Sequence, residues 1–305
     1  MARSVPVAAL RVGTPLRQFS AVDHPRTQWL SDPAVLAPLA LLAGIYIWRF
    51  AQARREAGGR GAGALQATAF AGAMSALLVA LVSPLDGLGE DYLFSAHMLQ
   101  HVLLGDVAPL LLLLALSRVI MRPLTRRFTR VEKRLGVLLS PVTGLLVWLG
   151  VMYVWHIPAL YDAAAENALV HLAEHASFFA AGIALWWPLI QPVPMRRSLS
   201  GMQPLAYIAA AKGGLAALGL YLAWVSTPLY PHYEQTPRIW GLSPSEDQNV
   251  GGVIMMVEQS LTLVLVLVFL FIRMLTRSEE DERRRERLEQ AQVSGQEADL
   301  LNAAP

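Results

Sequence analysis

The sequence predicts an all-α fold, a polytopic integral membrane bundle of seven transmembrane helices, and three observations carry that expectation. Of the 305 residues, 54% are hydrophobic and only 16% charged, against about 25% charged in soluble domains. Apolar runs of about 20 residues recur along the chain, each the length that crosses roughly 30 Å of hydrocarbon. The basic residues gather in alternate loops between those runs. A segment in lipid must satisfy its own backbone, which an open strand cannot do, so each run is expected to be a helix. The chain has no cysteine. That excludes disulfides and thiolate ligands and leaves soft-metal chemistry to histidine and methionine. The pI near 9 reflects the basic loops, so the expected partner is the lipid bilayer and no nucleic acid.

Taken in order, residues 1–33 hold Arg3, Arg11, Arg17, Arg26 and several prolines, and read as an extended extracytoplasmic arm. Its apolar stretch, Val5 to Leu10, is too short for a signal-peptide core. The membrane domain follows at 34–275, with spans expected at 34–52, 64–82, 92–117, 135–155, 166–190, 204–226 and 250–275. Residues 276–305 make a charged cytoplasmic tail. Within it, SEEDERRRERLEQAQ at 278–292 reads as a solvated helix held by i, i+4 ion pairs. The loop 227–249 is rich in proline and aromatics, which suits a structured cap at the interface. Ser245 with Gln248 fits a capping box for the last helix, and Glu246 and Asp247 fall where a helix N-terminus favours negative charge. Trp148, Trp155, Trp186, Trp187 and Trp240 are placed as an interfacial belt would be.

Orientation follows from the short loops. Arg49, Arg54, Arg55 and Arg60 follow the first span, and seven basic residues from Arg118 to Arg134 follow the third. Arg196 and Arg197 follow the fifth, and Arg273 and Arg277 the last. The alternate loops are acidic or nearly neutral. The N-terminus is therefore expected outside and the C-terminus in the cytoplasm, although the four arginines of the arm pull the other way.

The third span, Tyr92 to Ser117, carries His97, His101 and Asp106. Ionisable side chains in a lipid-spanning helix cost several kcal/mol unless partnered, so they mark a functional site. His97 and His101 are four apart and share one helix face. Entering from outside, they lie roughly 8 and 13 Å deep. His171 and His175 in the fifth span repeat the spacing at the same two depths. Four level imidazoles point to a metal site, with haem ligation and a hydrogen-bonded or proton-conducting network as alternatives. Imidazole suits zinc, copper, iron and nickel, and thioether sulfur favours Cu(I). Met98 beside His97, Met152 near the outer end of the fourth span, and Met255 and Met256 in the seventh add thioethers near that level, which tips the choice to copper. Glu174 is expected to orient a ligand imidazole as a hydrogen-bond acceptor. Glu258, about 12 Å into its span, is a ligand, an outer acceptor or a proton acceptor, and His156 ends the fourth span at the outer surface. Asp106 and Lys212 both fall in the inner half, where an ion pair avoids most of the desolvation cost.

AHMLQH at 96–101, WHIPALYDAA at 155–164, HLAEHASFF at 171–179, WWP at 186–188 and LSPSEDQNVGGVIMM at 242–256 resemble the seven-helix CtaG-type assembly factors of caa3-type cytochrome c oxidase. The resemblance runs from about residue 30 to 275. It implies a multi-pass protein of the bacterial cell (inner) membrane, without enzymatic activity, that acts in respiratory-chain biogenesis. Its partners would be oxidase subunits and periplasmic or extracellular copper chaperones. The matching positions are His97, Met98, His101, His156, His171, Glu174, His175, Asp247, Gln248 and Met255. Two other classes stand beside this one: a bis-His haem-binding redox protein and a proton-coupled metal transporter.

Overall fold

The computed structural model describes residues 28–302. Most of the N-terminal arm, including Arg3, Arg11, Arg17, Arg26 and the stretch Val5 to Leu10, lies outside the described residues. Twelve α-helices appear in order, with no strand among the described residues: α1 (Pro33–Ala57), α2 (Ala64–Leu81), α3 (Pro84–Asp91), α4 (Phe94–Val102), α5 (Ala108–Ala115), α6 (Arg122–Leu135), α7 (Pro141–Trp155), α8 (Pro158–Glu166), α9 (Ala168–Ile190), α10 (Gln203–Trp224), α11 (Pro231–Gln235) and α12 (Pro244–Asn302). A π turn, Leu103–Val107, joins α4 to α5. Among the described residues, six helical stretches are long and apolar enough to cross a membrane. A seventh counts if α6, a short 3-10 turn and α7, bent by 63°, form one span.

The structure departs from the expected spans at several places. The basic stretch after the third span is helix α6, not a loop, and the fourth span bends where Ser140 caps the helix begun by Pro141 (Thr143 N–H to Ser140 Oγ, 3.3 Å). Ser83 likewise caps α3, which begins at Pro84 (Leu85 N–H to Ser83 Oγ, 3.2 Å). Pro suits the first helical turn because its missing N–H is not needed there. The third span carries a π turn within one continuous stretch, Phe94–Ala115, and the last helix runs unbroken into the charged tail. Its cap is Ser243 with Glu246, not Ser245 with Gln248: the Glu246 amide donates to Ser243 Oγ (3.3 Å) and the Ser243 amide to Glu246 Oε2 (2.8 Å).

Large apolar side chains cover the outside of the bundle, among them Leu41, Trp48, Leu146, Val257, Leu261, Phe269 and Phe271. Polar ones are buried within it, including His97, Gln100, Asp106, Glu174 and Lys212. A contiguous apolar exterior of this extent belongs in lipid. This is a membrane protein. Trp148 and Trp186 depart from the interfacial belt: each is only 1% exposed in the core. Trp240, 69% exposed, does lie at the surface.

Helix α9 crosses the third span very closely. A Cβ on Gly182 would overlap the Gly105 carbonyl and the Pro109 ring, so only glycine permits the approach. Beyond that crossing, one end of the bundle is closed by α3, α8 and α11. Tyr233 Oη donates to the Gly89 carbonyl (2.6 Å), and Tyr161 Oη lies 3.0 Å from Tyr233 Oη. Burial holds both phenols well above their usual range, so they stay protonated as donors. Asp247 accepts from the Phe94 amide at the start of α4 (2.6 Å), fastening α12 to the helix that carries His97. The opposite end is basic. There Arg49 donates to the Val119 and Ile120 carbonyls (2.7 and 2.9 Å) and pairs with Glu56 (2.9 Å).

Candidate metal centre

The close α9 crossing brings two polar faces together just inside the closed end. From α4 come His97 and His101; from α9 come His171, Glu174 and His175. One ligand-type atom each of His97, His171, Glu174 and His175 lies within 4.8 Å of the others. Ring centroids are 4.0 Å apart for His171 and His175, 5.5 Å for His97 and His171, and 6.0 Å for His97 and His175. His101 packs edge-on against His97 at 4.2 Å, and its Nε2 is 3.7 Å from Glu174 Oε1. His97 Nε2 is 3.9 Å from Glu174 Oε2. Neither separation is a hydrogen bond.

The cluster is deeply buried and unpartnered. His97 is 2% exposed, Glu174 1% and His175 8%. Both ring nitrogens of His97 and of His101, Nε2 of His171 and of His175, and both oxygens of Glu174 are buried with no hydrogen-bond partner. Each such atom costs about 1–3 kcal/mol. Buried polar groups are otherwise almost always paired, so this concentration of lone pairs fits a bound cation. One of the rings is already oriented for it. His171 Nδ1 lies 2.9 Å from Glu90 Oε1, which leaves the buried Nε2 as the ring atom free to bind a ligand. Glu90 is 47% exposed and marks the side open to solvent.

The other residues singled out in the sequence are distributed differently. Glu174 does not accept from a ligand ring from outside; its carboxylate sits among the rings as a fourth ligand-type group, and Glu90 holds the outer position instead. Met98 and Met255 line a cavity of about 20 Å³ whose wall includes His101, His156 and Glu258. Asp106 lies in the π turn, accepts from Lys212 Nζ and also accepts from Trp186 Nε1 (2.7 Å). Glu258 Oε1 is 3.5 Å from Lys212 Nζ and accepts from Thr262 Oγ1 (2.8 Å). It pairs with the lysine and also lines the cavity beside His101 and His156. Gln248, a motif position, accepts the Leu229 amide through Oε1 (2.7 Å) and helps close the end of the bundle. Glu90 was not singled out as a site residue from the sequence, although an acid in the segment preceding the first HxxxH pair was the available signal.

A multi-helix membrane protein with a buried histidine–carboxylate cluster is the class that fold and site define. The sequence model of the cytochrome c oxidase caa3 assembly factor family (Caa3_CtaG) matches residues 44–277, which takes in all of these residues. The chain belongs to that family of oxidase assembly factors. No curated protein and no solved structure matches it.

Proposed function

We propose that this protein binds a copper ion between α4 and α9 and supplies it to a subunit of a haem–copper cytochrome c oxidase in a bacterial membrane, without catalysing a reaction. The observation that carries the reading is the convergence of unpartnered lone pairs on His97, His171, Glu174 and His175, with His101 alongside. Metal–nitrogen bonds of about 2.0 Å place tetrahedral ligand atoms about 3.3 Å apart. A group spread over at most 4.8 Å reaches that by side-chain rotation. Three imidazoles and a carboxylate form a donor set that copper accepts, and oxidase assembly selects copper among the metals that do. One buried carboxylate neutralises a monovalent ion, which favours Cu(I) at this depth.

Position also supports delivery. The cluster lies just inside the closed end, with Glu90 towards solvent, and the basic loops at the other end favour an outer-side position for it. Copper chaperones on that side are natural donors. The packing favours an ion over haem: the cavity beside His101 is about 20 Å³, far below the roughly 300 Å³ at which cofactor pockets begin.

The test is the copper content of the oxidase in cells that depend on this protein. Glu174→Gln with His175→Ala, checked for normal membrane abundance, is expected to leave the oxidase deficient in copper and inactive. A fully loaded oxidase in that strain would contradict the proposal.

A further inference from the structure

Beside the histidine–glutamate cluster lies the small cavity, lined by methionines from three different helices: Met98 of α4, Met152 of α7 and Met255 of α12. His101 and His156 complete its soft and borderline donors. A methionine in a membrane helix is ordinarily packing. Here the polar atoms of the other lining residues give a different signal. His156 is 8% exposed and its Nδ1 lies 2.6 Å from the Met152 carbonyl. A carbonyl only accepts, so Nδ1 bears the proton and Nε2 keeps its lone pair; that Nε2 is buried and has no partner. His101 is equally without partners, as are Trp148 Nε1 and Gln259 Oε1 on the same wall. Met152 reaches the cavity over bare backbone, because a Cβ on Gly105 would stand 2.9 Å from its terminal methyl.

We propose that this cavity is a second copper site, a thioether–imidazole pocket for Cu(I) formed by Met98, Met152, Met255, His101 and His156, with His101 shared between it and the histidine–glutamate site. Thioether sulfur is a ligand for Cu(I) among the biological metals and holds divalent ions poorly. The volume, about 20 Å³, admits one ion or one water and nothing larger. His101 touches both sites: its Nε2 is 3.7 Å from Glu174 and its side chain lines the cavity. An ion therefore passes between the sites by exchanging ligands around one ring, without a change of oxidation state. The inference rests on the copper reading of the first site only for the identity of the ion.

Anaerobic titration of the detergent-purified protein with Cu(I), against bicinchoninate as competitor, tests it. Wild type is expected to bind two equivalents and to show sulfur ligands in X-ray absorption. The triple variant Met98→Leu, Met152→Leu, Met255→Leu preserves volume and is expected to bind one equivalent with no sulfur signal. The His171→Ala, His175→Ala variant is expected to keep the sulfur-bound equivalent and lose the other. Unchanged stoichiometry and affinity in the leucine variant, or no sulfur in wild type, would overturn the second site and leave the cavity to a water. Two equivalents retained in the histidine variant would instead overturn the first site while the second stood.

Discussion

Asp106 and Glu174 are both carboxylates buried in the same bundle, and their surroundings differ in one respect. Asp106 accepts from Lys212 and from Trp186, and Lys212 is further faced by Glu258 at 3.5 Å. Glu174 has four imidazoles about it and not one hydrogen bond to either oxygen. A paired charge is what folding tolerates in lipid, because the partner offsets most of the desolvation cost. A group of lone pairs without donors is what it tolerates only where a ligand completes the set. The lysine cluster therefore reads as architecture, while the histidine cluster fits the binding site proposed above. Each can be perturbed with the opposite consequence.

The largest effect is expected at the paired cluster. Lys212→Ala strands the Asp106 charge and should cost about 3–5 kcal/mol, visible as a large fall in the thermal midpoint in detergent. Replacing both partners, Lys212→Met with Asp106→Leu, should restore most of it. Next comes the helix crossing. Gly182→Ala forces a methyl against the Gly105 carbonyl, and overpacking of this kind costs about 1–3 kcal/mol. By moving α9 away from α4 it should also lower bound copper, measured by metal analysis of the purified protein.

At the unpartnered cluster the sign reverses. His175→Leu removes a buried atom that has no partner, so the metal-free protein should gain about 1 kcal/mol while copper binding falls. A loss of stability in the metal-free variant would mean that the ring has a structural partner. The smallest change is expected from Glu90→Gln, which weakens the orientation of His171. Copper affinity should drop about 10- to 100-fold, while the melting curve of the metal-free protein moves by no more than about 0.5 kcal/mol.

The helices were legible because span length and apolar composition are local properties. The two HxxxH pairs were legible for the same reason: spacing of four and a shared entry side fix depth. What the sequence hid was set by contacts between distant segments. Nothing near Asp247 says that its carboxylate caps α4 through Phe94, 153 residues away. Nothing around Met98 and Met255 says that they face a separate cavity instead of joining the rings of His171 and His175. The cap of α12 was misplaced because Ser243 with Glu246 and Ser245 with Gln248 both satisfy the pattern. Pro244 favours the former, since it then falls at the first helical position. Trp186 was placed in the belt by its position near a span end, yet a buried Asp106 needed its N–H. The bend before α7 was written in Ser140 and Pro141, but an apolar run counted by length passes over it.

The central claim is that the histidine–glutamate cluster is a metal site left incomplete by the polypeptide alone. Its most direct test is the thermal stability of the purified protein with and without copper, in wild type and in His171→Ala with Glu174→Gln. A ligand at 100 times its dissociation constant should stabilise the wild type by about 2.7 kcal/mol, and the variant should lose most of that gain. An equal rise in both proteins, or no rise in wild type, would contradict the account.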